Sequence, residues 1–240
     1  MRLLGFDLET TGLDVKKDRI YKMGAVLMEV GNPVMLWEKE WSLWHDDYPE
    51  CSVEALKTHG ITKSMAQEFG EHPQGPIVEL AKFLEDHKVD YLVAHNGHAF
   101  DFPMLCSSTE AYASHLKNTF VNFKKIDTTV DVPIRGIKTR KLSYLAAEHG
   151  FVNPFPHSTI SDVRTMLKVL NCYSLEEVMR RAASKTVIII ACVSYEDRNL
   201  AKEAGFYWNP AKSVWLKSVK ECDLESEKYG FKTTIVGATE

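Results

Sequence analysis

The order in which strand-like and helix-like segments follow one another constrains this chain more than any other feature. Arg2 to Leu8, Tyr21 to Val30 and Met35 to Trp44 read as strands, with turn signals at Thr11-Gly12 and at Gly31-Asn32-Pro33 between them. Connections that short imply an antiparallel meander. The texture then changes. Ile77 to His87 places Ile77, Leu80, Ala81, Phe83 and Leu84 at helical spacing, and the apolar run YLVAH that follows suits a buried strand. Further helices are predicted over Phe102 to Leu116, Lys141 to His149 with a stop at Gly150, Thr159 to Leu170, and Leu175 to Ala183 behind a Ser174/Glu177 capping box. FKKIDTT, around Ile126, reads as one more strand. A meander followed by alternating helix and strand predicts an α/β fold, a mixed sheet flanked by helices.

From Lys185 the rhythm restarts with the apolar strand TVIIIACV, a short helix DRNLAKEAG and a hairpin FYWNPAKSVWLKS turning at Asn209-Pro210. A charged helical stretch and a last strand, FKTTIV, complete a small α+β module. The expected division is residues 1–183 for the large domain and 184–240 for the module. Tyr207, Trp208 and Trp215 lie among Lys202, Lys212 and Lys217, a mixture suited to single-stranded nucleic acid and so to a substrate-binding role. Charge does not reinforce this, because basic and acidic residues balance eight to eight over the module, and the tryptophans are expected chiefly as core.

The chain has 240 residues, 45% of them hydrophobic, enough for a real core. Its net charge of -4 argues against bulk electrostatic binding of nucleic acid, though not against an enzyme that holds cations and meets phosphate through them. Five scattered cysteines, none in a CxxC pair, fit neither a disulfide framework nor a zinc knuckle and point to a reducing, intracellular (cytoplasmic) setting. No run approaches the roughly 20 apolar residues of a membrane span, and no signal-peptide pattern opens the chain, so a soluble protein without membrane association is expected.

One strand breaks the rule that charges stay out of apolar runs. GFDLETTGL carries Asp7 and Glu9 among Leu3, Leu4, Phe6 and Leu8. Two positions apart on a strand, their side chains share a face with Cα atoms about 6.5 Å apart, and carboxylates that close oppose each other's ionisation unless a cation lies between them. Two later segments offer more of the same chemistry. AHNGHAFDFPML sets Asp101 after a buried strand at the start of a helix, where α/β sheets place ligands. HSTISDVRTML sets His157 in a loop after Pro154 and Pro156, with Asp162 inside the next helix. Four acidic groups and one imidazole form a set suited to hard cations such as Mg²⁺ or Mn²⁺. His95 and His98 have no cysteine nearby to support a zinc site.

FDLETTG, HNGHAFD and HSTISD, in this order and at these intervals, resemble the three motifs of the DEDDh exonucleases, the DnaQ-like branch of the RNase H-like superfamily. MGAVL, HGIT at His59 to Thr62 and IDT at Ile126 to Thr128 add to the likeness, which covers about residues 1 to 183. The resemblance implies a five-stranded mixed sheet. It also implies that Asp7, Glu9 and Asp162 hold one divalent ion, that Asp7 bridges to a second held by Asp101, and that His157 is the general base. The implied reaction is metal-dependent hydrolysis of phosphodiester bonds from a 3′ end, releasing nucleoside 5′-monophosphates. Thr10, Thr11 and Gly12 are expected to position the terminal nucleotide, Leu13 to act as an apolar wedge, and Asn96 to support the site. Phe100 joins the substrate-binding candidates, although its bulk, like that of Phe102, also suits the core.

The large domain is similar to exonuclease X-like and proofreading enzymes, and the module to small domains appended to exonuclease X-like proteins, so DNA is the expected substrate, with a replication or repair protein as a possible partner. The same metal site cleaves RNA, which keeps a 3′–5′ exoribonuclease as an alternative. From another class, the chain could be a nucleic-acid or replisome-binding module with a vestigial site, against which the complete set Asp7, Glu9, Asp101, His157 and Asp162 argues.

Overall fold

A computed structural model describes residues 1–137 and 139–238, the side chains of residues 32–34 and 238 excepted. The chain forms two compact units, Met1–Leu175 and Glu176–Glu240.

The first unit is built on a sheet of order β3-β2-β1-β4-β5. The meander is β1 (Arg2–Thr10), β2 (Ile20–Glu29) and β3 (Asn32–Ser42), all antiparallel. Its helices are α1 (Val53–His59), α2 (Lys63–Phe69), α3 (Gln74–Asp86), α4 (Asp101–Tyr112), α5 (Lys117–Asn122), α6 (Leu142–Glu148) and α7 (Thr159–Leu170). β4 (Tyr91–Ala94) and β5 (Lys125–Asp127) add in parallel, so the mixed five-stranded sheet expected from the order of segments is present. The helix expected over Phe102 to Leu116 is broken at Ala113, beyond which a 3₁₀ turn covers Ser114–Leu116.

Alternation along β1 divides its work between the two faces of the sheet. Leu4, Phe6 and Leu8 point into a core shared with Ile77, Leu80 and Phe102 from α3 and α4, and the Phe6 and Phe102 rings meet at 5.5 Å between centroids. The other face presents Gly5, Asp7 and Glu9. A Cβ on Gly5 would stand 2.7 Å from Val163, and one on Gly24, the cross-strand partner of Asp7, 2.4 Å from the Thr159 hydroxyl. Two glycines therefore let α7 lie against the sheet at the level of Asp7, closer than any side chain would permit. Thr159 is then tied to the meander by its hydroxyl, which donates to Glu40 Oε2 at 2.7 Å.

The second unit begins with α8 (Leu175–Ala182). This helix goes with the C-terminal sheet, so the division falls at its start and not at its end. The reason is a buried carboxylate: Asp223 receives Arg180 at 3.0 Å and also pairs with Arg181. The sheet, of order β7-β8-β6-β9, comprises β6 (Thr186–Cys192), β7 (Tyr207–Asn209), β8 (Val214–Lys220) and β9 (Lys232–Ala238). With α9 (Arg198–Glu203) it encloses Val187, Ile189, Ala201 and Phe206. The charged helical stretch expected after the hairpin is only a 3₁₀ turn, Glu221–Asp223. Trp215 packs against this core as expected, whereas Trp208 is 47% exposed. Lys217 is committed to Glu227 and to the Tyr229 hydroxyl, at 2.8 and 3.0 Å.

Candidate active site

Three elements deliver the acidic side chains. β1 supplies Asp7 and Glu9 on one face, and α7, lying over Gly5 and Gly24, brings Asp162 in its first turn down beside them. Carboxylate oxygens of Asp7, Glu9 and Asp162 all fall within 4.8 Å of one another. Asp101 arrives by a separate route. β4 runs parallel to β1 with Gly5 paired to Val93, so the chain leaves β4 beside Asp7 and turns into α4, whose first residue is Asp101. Asp101 lies outside the tight group of three, but it is 3% exposed and raises the proton affinity of Asp7.

The loop between β4 and α4 is held by a residue that sequence reasoning assigned no role. Asp127, at the end of β5 and 1% exposed, accepts the Asn96 N–H at 3.0 Å and the His98 N–H at 2.9 Å. It also takes the Thr129 N–H and hydroxyl, and its own N–H is received by Asp131. Only the IDT likeness pointed here. Asn96 itself is exposed with φ +65°, so it serves through its backbone, while Phe100 is half-buried and packs against the core.

Asp162 is held from the other side. Asn153 donates through its amide to Oδ1, the His157 N–H donates to Oδ2 at 2.9 Å, and Ser161 fixes the Asn153 amide by donating to its oxygen at 2.6 Å. Asn153 has no role in the sequence reading, since nothing in its spacing forecasts that contact. His157 is exposed, takes φ +66°, and uses only its backbone on Asp162, which leaves the imidazole facing a cavity of about 750 Å³ that Asp7 and Asp162 also line. Lys141 and Tyr144 contribute to the same cavity, as does His95, held between the Thr128 hydroxyl and the Arg140 carbonyl at 2.7 Å each.

Beyond the acidic strand, the Thr10 hydroxyl donates to the Gly12 carbonyl at 2.7 Å and the Thr11 hydroxyl to Asp18 at 2.8 Å. Both hydroxyls thus build the turn. His59, from HGIT, secures it: Nε2 donates to the Thr10 carbonyl at 3.0 Å while Nδ1 accepts the Ile61 N–H at 2.9 Å. Leu13 projects from the turn, 82% exposed.

Burial and mutual repulsion shape the electrostatics. Burial first, then Asp101, Glu9 and Asp162, hold the Asp7 carboxyl well above its usual range. Burial, then Asp162 and Asp101, push Glu9 up to about 8, and burial pushes Asp101 up to about 7. Asp162 is raised by burial and partly relieved by Asn153 and His157. Lys22, opposite Glu9, is paired with Glu40 at 2.7 Å and relieves Glu9 only in part. A hard divalent cation among these crowded oxygens would offset the burial and repulsion that oppose their ionisation, so the donor set fits such an ion.

A family model described as Exonuclease matches residues 4–170. The chain belongs to that family, the DEDDh exonucleases of the DnaQ-like, RNase H-like kind. Residues 187–236 match a second model, described as a domain of unknown function (DUF8626). Over 166 residues the chain is 28% identical to a PolC-type DNA polymerase III from Caldanaerobacter subterraneus subsp. tengcongensis, covering 68% of this chain and 11% of that one. In fold it is similar to the zinc-bound form of an E. coli exonuclease I–single-stranded DNA complex, with TM-score 0.62 and 14% identity over 79% of this chain and 48% of the other. An exonuclease I from Methylocaldum szegediense gives TM-score 0.61 and 15% identity, over 91% and 62%. The chain thus spans about a tenth of the polymerase and about half of E. coli exonuclease I. No helix among the described residues is long and apolar enough to cross a membrane.

Proposed function

We propose that the chain is a 3′–5′ exodeoxyribonuclease that depends on two Mg²⁺ or Mn²⁺ ions and releases nucleoside 5′-monophosphates from DNA with single-stranded or frayed 3′ ends. One observation carries the reading: the oxygens of Asp7, Glu9 and Asp162 converge within 4.8 Å, with Asp101 acting on Asp7 and His157 open to the same cavity. Asp7, Glu9 and Asp162 would hold one ion, and Asp7 and Asp101 the second; bound there, such ions stabilise attacking and leaving oxygens and acidify a water.

The chain's own groups supply the rest. His157 takes the proton of the attacking water at a ring nitrogen, since its ring lines the same cavity as Asp7 and Asp162 and has no hydrogen-bond partner among the described residues. Asn153 keeps Asp162 oriented, and Asp127 keeps the loop that leads to Asp101. Leu13, exposed beside the acidic strand, provides the apolar surface for the terminal base, with Thr10, Thr11 and Gly12 shaping the turn beneath it. DNA is favoured because the similar E. coli exonuclease I was solved with single-stranded DNA and the relative of the catalytic unit is a DNA polymerase. The polymerase relative also favours a replication or repair partner.

The test is degradation of 5′-labelled DNA and RNA oligonucleotides of one sequence with Mg²⁺ or Mn²⁺. A shortening ladder on DNA with nucleoside 5′-monophosphate products supports the reading. Preference for RNA assigns an exoribonuclease, and 3′-monophosphate products overturn the mechanism.

A further inference from the structure

The second unit carries its own cavity, about 930 Å³, at the end of its sheet where β6 runs into the loop before α9. Tyr195 and Arg198 line it from that loop and the first turn of α9, Trp208 and Trp215 from the β7–β8 hairpin. Trp208 and Trp215 are cross-strand partners with rings 5.6 Å apart, so Trp215, anchored in the core, props the outer ring. The outer rings face water: Tyr195 is 80% exposed and Trp208 47%. Aromatic area left open in a module this small gains nothing for its fold, and open rings gathered around a cavity are the surface of a binding site.

The charge of the lining selects the occupant. Among the described residues it holds no carboxylate, and its one cation is Arg198. That guanidinium lies 4.1 Å from the Tyr195 ring centre and gives one N–H to the Tyr195 carbonyl at 2.6 Å, with further donors left for a ligand. Lys217, by contrast, is already neutralised by Glu227. Flat faces for π-stacking beside one guanidinium without a carboxylate match a base together with its phosphate. An acidic peptide would call for several cations and no array of open rings.

We propose that this cavity binds single-stranded nucleic acid, with bases stacked on Tyr195 and Trp208 and a backbone phosphate on Arg198. It thereby gives the chain a second grip on the strand that the nuclease site shortens. The proposal rests on the reading of the first unit as a nuclease for the class of ligand, and concerns a site remote in sequence from the acidic residues.

The experiment is fluorescence anisotropy of a labelled oligo(dT) with the full chain in EDTA, so that no cleavage intervenes. Tyr195→Ala and Trp208→Ala should each weaken binding about 5- to 150-fold, the range for loss of one stacked base. Arg198→Gln should lower the salt dependence by about 0.7 in the slope of log affinity against log salt, one phosphate contact on a single strand. Tyr195→Phe keeps the ring and should bind like the wild type, which guards against a folding artefact. Wild-type cleavage of thymidine 5′-p-nitrophenyl phosphate with Mn²⁺, run alongside, reports on the nuclease reading separately. Unchanged oligonucleotide affinity in Tyr195→Ala and Arg198→Gln, with that cleavage present, overturns the site alone. The same result with affinity for an acidic peptide reduced by these substitutions would reassign the cavity to a protein partner.

Discussion

Glu9 is the residue at which the electrostatic account can be weighed. Without metal its carboxyl is pushed from about 4.5 in an unfolded chain to about 8 by burial and by Asp162 and Asp101. A pKa raised on folding means the folded state prefers the proton, so the folded state is penalised as pH rises from the unfolded value to the folded one. At about 1.4 kcal/mol per pH unit, the roughly 3.5-unit gap sets a ceiling of about 4 kcal/mol at pH 8. Because Asp162 and Asp101, the carboxyls that repel Glu9, are themselves held toward the protonated form by burial and so repel it less, about 2 to 4 kcal/mol is expected. Glu9→Gln, which mimics the protonated form, should therefore stabilise the metal-free protein at pH 8 by roughly 5 to 15 °C in Tm. By pH 5 the gain should fall below about 1 kcal/mol, since that pH lies only about half a unit above the unfolded value at which the penalty begins to build. Saturating Mn²⁺ should reverse the order, because the wild type gains binding energy that the variant loses. The assay is differential scanning calorimetry in chelator and in Mn²⁺ at the two pH values. A Glu9→Gln protein no more stable than the wild type in chelator at pH 8 would refute the claim that these carboxylates are crowded and uncompensated.

Other positions test separate links. His157→Ala should lower the cleavage rate roughly 10²- to 10⁴-fold while leaving Mn²⁺ affinity unchanged; a change confined to metal affinity, measured by calorimetric titration, would contradict a role as base. Asn153→Ala frees one oxygen of Asp162 and should weaken Mn²⁺ binding about 10- to 100-fold without unfolding the chain, an effect to be read in the same titration. Gly24→Ala drives a methyl group into Thr159 and should cost about 1 to 3 kcal/mol as α7 is pushed off the sheet; thermal unfolding at constant pH measures it.

Much of this was legible because burial leaves a period in the sequence. α7 was readable from end to end at Thr159 to Leu170, since Val163, Met166, Leu167 and Leu170 form one buried stripe. The strands of the meander were placed to within a few residues by their apolar runs. α1 and α2 were not seen: α1 buries no residue and α2 only Ala66, so neither leaves a pattern to read. The charged stretch after the hairpin failed for the opposite reason, helix-forming composition without a face to bury. At the candidate site, Asp7 and Glu9 stand out in the sequence as carboxylates within an apolar strand, whereas Asp101, His157 and Asp162 join them through the likeness of their segments to the family's motifs. Asp127 was hidden because its contact lies across the fold, 31 residues away at Asn96, and Asn153 because its contact with Asp162 depends on how the loop between them turns. Phe100 and the hydroxyls of Thr10 and Thr11 show the converse, plausible ligand contacts by type that the fold uses for packing and for a turn.

The central claim is that the acidic side chains of β1, α4 and α7 serve a common pair of cations. Calorimetric titration of Mn²⁺ into the chelator-stripped protein at neutral pH, where Glu9 still holds its proton, measures this directly. The account predicts two ions per chain for the wild type, fewer in Asp7→Ala and Asp162→Ala, and release of protons on binding as the raised carboxyls ionise. A wild-type protein that takes up no ion, or that cleaves DNA undiminished in EDTA, would contradict it.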